Sequence, residues 1–344
     1  GGGGGLDIDV RDTRGCLRFL EALPSAGGGL KALDAALSQL RSAGDLPGPW
    51  EARGTPAEEV QAQEALVGRC CKRLGETAGA FFSELVACGG PLHPGARGSE
   101  REQQLRRVAQ NVTLLKVHGD LFAFMRSLNV ERDRQLAEKL RKLASSEAVT
   151  VLLASPRVAE LRARGGPALE SLQAGSTPYE KAMALKDATA AIVDAFDSEQ
   201  HGASRAGSGA STDDILSRTV LLLTAVPVPD LCTHTAFMER FVDVCDGDSL
   251  KGELGYHITN LLVACEFVLQ ADPASVLEQF QLAGEGGSPA STAGGEGGGE
   301  AGAAPSGRGS AESAQAAETP VRGAAATPSP AKSPFRRSVP ALPE

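Results

Sequence analysis

Two pairs of polar residues stand at the starts of otherwise apolar segments of this 344-residue chain. Asp213 and Asp214 precede an apolar run, and Tyr256 and Thr259 lie near the start of GELGYHITNLLVACEFVLQ, residues 252–270. Residues three apart share a helix face, so Tyr256 and Thr259 can be presented together. A carboxylate can pair with a cation, and a tyrosine beside a hydroxyl offers an amphipathic contact surface. These four residues are therefore candidates for a binding site.

Each candidate also has a structural interpretation that the sequence alone leaves open. Aspartates in the first turn of a helix are favourable simply because they complement the helix dipole. Tyr256 can pack in a core with its hydroxyl at the surface, and Thr259 can hydrogen-bond to its own helix. His257 lies between them, and we expect it to pack rather than to bind a ligand.

The elements that carry these residues are predicted to be helices. Thr55-Pro56-Ala57-Glu58 and Thr177-Pro178-Tyr179-Glu180 each supply an N-cap hydroxyl, a proline at the first helical position and a glutamate three residues after the cap. Residues 211–214 cap a further helix, which the prolines of residues 226–229 end. Strand-like alternation is nearly absent, and residues 148–154 are the one ambiguous run. We therefore predict an all-α protein.

Composition divides the chain into four predicted regions. Residues 1–54 form a loosely ordered lead-in, in which a helical patch at Leu30 to Leu40 lies between glycine-rich breaks. Residues 55–160 form a helical bundle, and residues 161–281 form a second helical unit. Residues 282–344 lack large apolar side chains over most of their length, so we expect this tail to be disordered.

Within the bundle region the apolar periodicity predicts several helices. The first begins at Thr55, a second ends near Cys88, and a third covers residues 99–117. Residues 120–128 are expected to be buried, and residues 131–143 to form an amphipathic helix. The first helix is expected to bury a stripe made of Ala57, Val60, Val67, Cys71 and Leu74.

The composition excludes several classes of function. A net charge of −9 and a pI near 5.3 make nucleic acid or an anionic membrane an improbable main partner. We interpret the seven cysteines as reduced intracellular thiols and, without a membrane-spanning run, expect a soluble, cytosolic protein. No cofactor is expected. No metal is expected either, because Cys70, Cys71, Cys88 and His93 lack the spacing of zinc ligands.

Three segments in order resemble a known family. They are TPYEKAMALKDATAAIVDAF (177–196), TDDILSRTVLLLTAVPVPDL (212–231) and the segment 252–270 quoted above. Together they resemble the vacuolar protein sorting 9 (VPS-nine) domain family, the guanine-nucleotide exchange factors for Rab GTPases of the early-endosomal, Rab-five class. Residues 120–143 are similar to an upstream segment of the same family. The resemblance implies a layered helical core over residues 161–281, packed on the N-terminal helical bundle.

The resemblance also implies roles for individual residues. Asp213 falls on the family's catalytic aspartate, with Asp214 as the fallback, and Tyr256 and Thr259 fall on the residues that contact the GTPase switch segments. Such an exchange factor catalyses GDP release without covalent chemistry. Further GTPase contacts are implied at Asp214, Pro229, Gly255 and Asn260, and a structural motif at Thr177, Pro178 and Lys181.

Three departures from the family pattern keep other functions open. Ser217 replaces a proline, and the turn at residues 226–229 lacks an asparagine; residues 246–250 also lengthen a loop. A catalytically weak helical scaffold that binds a GTPase or another protein without exchange is the alternative, and an unrelated helical adaptor is a third. Exchange requires Asp213 and Tyr256 to lie near each other on an exposed groove. Burial of either residue, or their placement on opposite faces, would favour the scaffold or the adaptor.

The remaining expectations concern location and regulation. The resemblance implies a small GTPase of the Rab family as partner, a role in endocytic vesicle transport, and a cytoplasmic protein recruited to endosomal membranes through its partners. In the tail, Thr327, Ser329 and Ser333 each precede a proline and lie near Arg336-Arg337. They are possible sites of proline-directed phosphorylation, or an accident of a Pro/Ser-rich composition.

Overall fold

Ten α-helices contain most of the residues that the structure describes. This computed structural model describes residues 11–50, 55–88, 100–201, 211–241, 244, 252–272 and 275–276, all within the unit Gly1–Ser288. No strand occurs in these ranges, and the predicted all-α class is confirmed. No helix within them is both long and apolar enough to cross a membrane. The predicted tail, its phosphorylation sites and the loop at residues 246–250 lie outside the described residues.

The ten helices occur along the whole of the described part of the chain. In chain order they are α1 (Thr13–Ala22), α2 (Gly27–Ala43), α3 (Pro56–Ala87), α4 (Glu100–Ala144), α5 (Glu147–Leu153), α6 (Pro156–Ala174), α7 (Pro178–His201), α8 (Thr212–Ala225), α9 (Leu231–Phe241) and α10 (Glu253–Gln270). A 3₁₀ turn, Pro24–Ala26, joins α1 to α2. The ambiguous run at residues 148–154 is helical, as most of it lies in α5.

The N-terminal region is more ordered than the sequence suggested. The expectation of a loosely ordered lead-in over residues 1–54 is wrong for residues 13–43, which form α1 and α2. Leu20, Leu33 and Leu37 of these helices lie in the hydrophobic core. The glycines that we interpreted as a break are the first turn of α2, where three glycines cost helix propensity but packing of the apolar face offsets it. Gly44, at φ 71°, ends α2 in the left-handed conformation that glycine favours.

Two stretches that we predicted as several helices are single long helices. Helix α3 has 32 residues and begins with the predicted capping box between Thr55 and Glu58. Its buried residues are Val67, Cys70, Leu74, Ala78, Phe81 and Leu85. The predicted stripe was therefore partly wrong: Val60 is 41% exposed, and Cys70 rather than Cys71 is buried. The side of α3 that is covered depends on where α2 and α4 pack.

Helix α4 has 45 residues and passes through the middle of the fold. The predicted boundary near residue 117 is absent because no proline or left-handed residue interrupts the helix there. Its buried side chains face several directions, since α4 packs against α1, α3, α8, α9 and α10. Helix α4 therefore belongs both to the N-terminal bundle and to the support of the C-terminal helices.

Polar contacts fix α4 to the ends of two later helices. Asp133 accepts hydrogen bonds from the backbone N–H groups of Cys232 (2.7 Å) and Thr233 (3.3 Å) in the first turn of α9. Lys139 donates to the carbonyl oxygens of Leu269 (2.5 Å) and Ala271 (3.2 Å) at the end of α10. A negative charge thus faces a helix N-terminus and a positive charge a helix C-terminus, which is the favourable pairing with both dipoles.

The predicted structural motif at the start of α7 lies in the protein interior. Thr177 and Glu180 form the expected capping box, in which Thr177 N–H donates to Oε2 of Glu180 (3.1 Å) and Glu180 N–H donates to Oγ1 of Thr177 (3.2 Å). Pro178 is buried next to them. Oε1 of Glu180 also accepts from the N–H of Thr13 (2.9 Å), which fixes α1 to the start of α7.

Lys181 is fully buried and connects three other parts of the fold. Its Nζ donates to the carbonyl oxygen of Leu172 (2.9 Å) and to Nδ1 of His234 (2.9 Å), and it lies 5.4 Å from the centre of the Phe122 ring. Burial lowers the pKa of Lys181 to about 8. Burial, with the neighbouring Lys181 ammonium, lowers the pKa of His234 to about 3, so His234 is neutral and accepts. Lys181 thereby ties α7 to α4, α6 and α9.

Candidate functional site

The two aspartates at the start of α8 have different environments. Ser211 is the N-cap, and its Oγ accepts from the N–H of Asp214 (3.2 Å). Oδ2 of Asp214 accepts in return from the N–H (3.0 Å) and the hydroxyl (2.6 Å) of Ser211. Asp213 is exposed, and its carboxylate forms no hydrogen bond or ion pair with the part of the chain that the structure describes. Asp214 is thus engaged in a cap, whereas Asp213 is available to a partner.

A sequence signal for this difference existed and was missed. A serine followed three residues later by an acidic side chain is a capping-box spacing, and Ser211 and Asp214 have it. Asp213, one position earlier, points away from that reciprocal pair. The spacing alone therefore favours Asp214 as the capping residue.

The replacement of proline by Ser217 leaves α8 regular. The hydroxyl of Ser217 donates to the carbonyl oxygen of Asp213 (2.9 Å), within the same helix. Helix α8 continues to Ala225, and Val226 is already extended, so the predicted end of the helix is confirmed. Pro229 is exposed in the following turn, which closes at Asp230 with φ 53°. The turn conformation is compatible with aspartate, which tolerates the left-handed region better than most residues.

Helix α10 presents a narrow exposed face at its N-terminal half. Tyr256 is 43% exposed, and Thr259 is also exposed. Gly255 and Asn260 are half-buried beside them. The opposite face packs into the core through Leu254, His257, Ile258, Leu261, Ala264, Cys265 and Val268. Tyr256 is therefore not a core residue, and neither it nor Asp213 is buried.

One member of this face was not predicted from the sequence. Val263 is 44% exposed and lies seven residues after Tyr256, and thus on the same side of the helix two turns later. The sequence spacing places Val263 on the same side of the helix as Tyr256. An apolar residue inside an apolar helix, however, gives no indication that it is exposed. We call Tyr256, Thr259, Asn260 and Val263 the α10 face.

Two contacts hold the start of α10. Thr259 donates its hydroxyl hydrogen to the carbonyl oxygen of Gly255 (2.9 Å), which is the structural interaction considered above, while its exposed oxygen still has lone pairs for a donor. Lys186 of α7 forms an ion pair with Glu253 in the first turn (2.9 Å). The hydrogen bond from Lys186 lowers the pKa of Glu253. His257 faces inward, as expected, and is 8% exposed.

The packing of helices places α8 and α10 side by side. The two helices contact each other, and Thr219 and Leu222 of α8 line one small cavity together with His257 and Leu261 of α10. On the other side of α8, Gly165 of α6 allows close approach, because an added Cβ would lie 2.7 Å from Cδ2 of Leu222. The two helices that carry the candidate residues are thus packed directly on each other.

The chemistry available at this surface is non-covalent. The candidate residues supply one free carboxylate, one phenol ring with its hydroxyl, one threonine oxygen and an apolar valine. Among the described residues, no group of three or more His, Cys, Asp or Glu side chains is arranged to hold a metal ion. The surface is suited to binding a macromolecule through one charged and several amphipathic contacts.

Part of the chain matches a known protein family. Residues 166–273 match the family model described as the Vacuolar sorting protein 9 (VPS9) domain. The matched range begins inside α6, ends just after α10, and contains all the candidate residues of α8 and α10. A search of curated proteins gave no match to the chain.

Proposed function

We propose that this protein promotes GDP release from a Rab GTPase of the early-endosomal, Rab-five class, because residues 166–273 match the model of the VPS9 domain, the domain family of Rab exchange factors. The observation that carries the proposal is the exposed carboxylate of Asp213, which has no partner among the described residues, on a helix packed directly against the one that exposes Tyr256 and Thr259. In this proposal the protein is cytoplasmic, is recruited to endosomal membranes by its partners, and acts in endocytic vesicle transport.

Exchange requires the protein to stabilise the nucleotide-free GTPase more than the nucleotide-bound form. Asp213 supplies the negative charge that this stabilisation needs, because its carboxylate would pair with the lysine of the phosphate-binding loop, which the departing nucleotide leaves without a partner. Asp214 is less suited, because turning it toward a GTPase would break both of its hydrogen bonds to Ser211. We therefore assign catalysis to Asp213 and the helix cap to Asp214.

The α10 face would hold the switch segments of the GTPase in an open conformation. Tyr256 and Val263 offer apolar area, and the oxygen of Thr259 can accept a hydrogen bond from a backbone N–H. Gly255 has no side chain to obstruct a partner at Tyr256, and exposed Pro229 would contact the GTPase beyond the end of α8. These residues contribute binding rather than covalent chemistry.

The scaffold function is the second candidate, and the observation that favours it is the change at Ser217. This residue lies one turn after Asp213, and its hydroxyl donates a hydrogen bond to the Asp213 carbonyl oxygen, whereas a proline at this position would have neither a hydroxyl nor a backbone N–H to donate. A scaffold would bind the GTPase through the α10 face without accelerating nucleotide release.

A nucleotide-release assay separates the two functions. Fluorescent GDP is loaded on a panel of early-endosomal Rab GTPases, and its release is followed with and without the full chain. Binding of each nucleotide-free GTPase is measured in parallel. Accelerated release from at least one member supports exchange. Tight binding with unchanged release identifies a scaffold, and neither binding nor release contradicts the proposed partner class.

A further inference from the structure

Two buried polar atoms below the α10 face have no hydrogen-bond partner among the described residues. They are Nε2 of His257 and Nδ2 of Asn260, which lie on the side of α10 that meets α7 and α8. Buried polar atoms in folded proteins are nearly always hydrogen-bonded to the protein or to an ordered water molecule. The pair therefore calls for a ligand at this position.

The contacts of His257 determine whether its Nε2 is a hydrogen-bond donor or an acceptor. The hydroxyl of Thr189 donates its one hydrogen to the carbonyl oxygen of Leu185 (2.9 Å). Its oxygen can then only accept in its 3.0 Å contact with Nδ1 of His257, so Nδ1 carries the proton. Burial lowers the pKa of His257 and favours the neutral ring. Nε2 is therefore an unprotonated acceptor.

His257 and Asn260 both line one small cavity that has a complementary set of polar groups. The cavity volume is about 20 Å³, and Thr219 of α8 lines it together with His257 and Asn260. The hydroxyl of Thr219 donates to the carbonyl oxygen of Ile215 (2.7 Å), so its oxygen can only accept in the cavity. The rest of the lining is mostly apolar: Leu169, Leu185, Ala188, Ile192, Leu222, Leu223 and Leu261.

We propose that this cavity binds a single water molecule that joins α8 to α10. The water would accept a hydrogen bond from Nδ2 of Asn260 and donate its two hydrogens to Nε2 of His257 and Oγ1 of Thr219. Each of these three hydrogen bonds pairs one donor with one acceptor, and three is the usual number for a buried water molecule. A volume of about 20 Å³ accommodates one such molecule.

The position of the site gives the water a second role, which rests on the proposed exchange function. Asn260 follows Thr259 directly, and Thr219 lies on the helix that begins with Asp213. The bridge would therefore fix the α10 face relative to the helix of the catalytic carboxylate. His257 and Thr219 act here as positioning residues, because neither touches the GTPase in this account.

A high-resolution crystal structure of the full chain tests the site itself. We expect one ordered water within hydrogen-bond distance of Nε2 of His257, and loss of that water in Thr219→Val, which keeps the shape of the side chain but removes the acceptor. Nitrogen chemical shifts of His257 should show the proton on Nδ1. Absence of the water in the wild type, or a proton on Nε2, would overturn the proposal.

Exchange kinetics test the positioning role separately. We expect Thr219→Val to lower the maximal rate of GDP release by about tenfold with little change in GTPase affinity, because misplacement of catalytic groups affects the reaction more than binding. Thr150→Val, in exposed α5, is the matched control and should leave the rate unchanged. Equal rates for wild type and Thr219→Val would refute positioning. A chain without exchange activity would refute the proposed function but leave the crystallographic test of the water intact.

Discussion

Removal of the Asp133 carboxylate should weaken the attachment of α4 to the start of α9. Asp133 lies on α4, is 8% exposed, and caps α9 from outside that helix. Its Oδ1 accepts from the N–H groups of Cys232 and Thr233, and its Oδ2 accepts from the hydroxyl of Thr233 at 2.5 Å. The first amides of a helix have no partner within the helix, so these bonds replace a local N-cap residue. Asp133→Ala would leave three buried donors without an acceptor.

The expected cost can be bounded from these contacts. Loss of an N-cap costs about 0.5–2 kcal/mol, and each buried donor left unsatisfied costs about 1–3 kcal/mol. Part of this loss of stability is offset. Burial raises the pKa of Asp133 despite the hydrogen bonds that it accepts from Thr233 and Cys232, so the charged carboxylate carries a desolvation cost in the folded protein. Substitution by alanine removes that cost. We expect a net loss of about 3 kcal/mol for Asp133→Ala. Asp133→Asn keeps an acceptor oxygen without the charge and should lose about 1 kcal/mol.

Urea unfolding of the full chain, followed by far-UV circular dichroism, measures both variants. The midpoints should fall in the order wild type, Asp133→Asn, Asp133→Ala, with unchanged slopes. Alanine and asparagine variants of equal stability would show that the acceptor oxygen does not matter. An Asp133→Ala variant within about 1 kcal/mol of wild type would refute the capping argument.

Three further predictions concern packing, ionisation and binding. Gly165→Ala should lower the free energy of unfolding, measured by thermal unfolding, by about 1–3 kcal/mol, because the added Cβ would lie 2.7 Å from a methyl group of α8. Gly166→Ala is the control and should be neutral or stabilising, because the nearest atom to its added Cβ would be 3.7 Å away. Equal effects of the two substitutions would contradict the packing of α6 against α8. Burial lowers the pKa of Lys181 to about 8 from its ordinary value of 10.5, so between these pH values the unfolded chain binds more protons than the folded one. The free energy of unfolding of the wild type should therefore rise over this pH range by up to about 3 kcal/mol relative to Lys181→Met. Parallel pH profiles of the two proteins would exclude a lowered pKa. Val263→Asp should weaken GTPase binding by about tenfold in a titration. Val130→Asp, at a 64% exposed position of α4, is the control and should leave the affinity unchanged. If both variants bind the GTPase equally well, Val263 is not part of the interface.

The local features of the fold were predictable because their signals lie within a few residues. The capping boxes at Thr55 and Thr177 and the helix end at Val226 are where the sequence placed them. The capping boxes depend on side chains that bond to backbone atoms three positions away, and the helix end depends on the prolines that follow Val226, so no tertiary information is needed.

Features that depend on distant parts of the chain were not predictable from the sequence. A lysine is expected at the surface, yet Lys181 is buried because Leu172, His234 and Phe122 surround it from three other helices. The choice between Cys70 and Cys71 as core residue likewise depends on the partner helices of α3.

For the candidate site, the sequence indicated the residues but not their accessibility. The exposure of Tyr256 and the freedom of Asp213 follow from packing and from the cap at Asp214, and the exposure of Val263 had no sequence signal. The functional roles of Asp213, Tyr256 and Thr259 stay predictions.

The most direct test compares two adjacent isosteric substitutions in the GDP-release assay, on whichever Rab GTPase responds to the wild type. Asp213→Asn removes the free carboxylate, and we predict a loss in kcat/KM of at least about 100-fold with unchanged stability. Asp214→Asn alters the helix cap, and we predict a loss of stability of about 1 kcal/mol with the exchange rate retained within a few-fold. Unchanged exchange by Asp213→Asn, or an equal loss of rate in both variants, would contradict the assignment of Asp213 as the catalytic carboxylate.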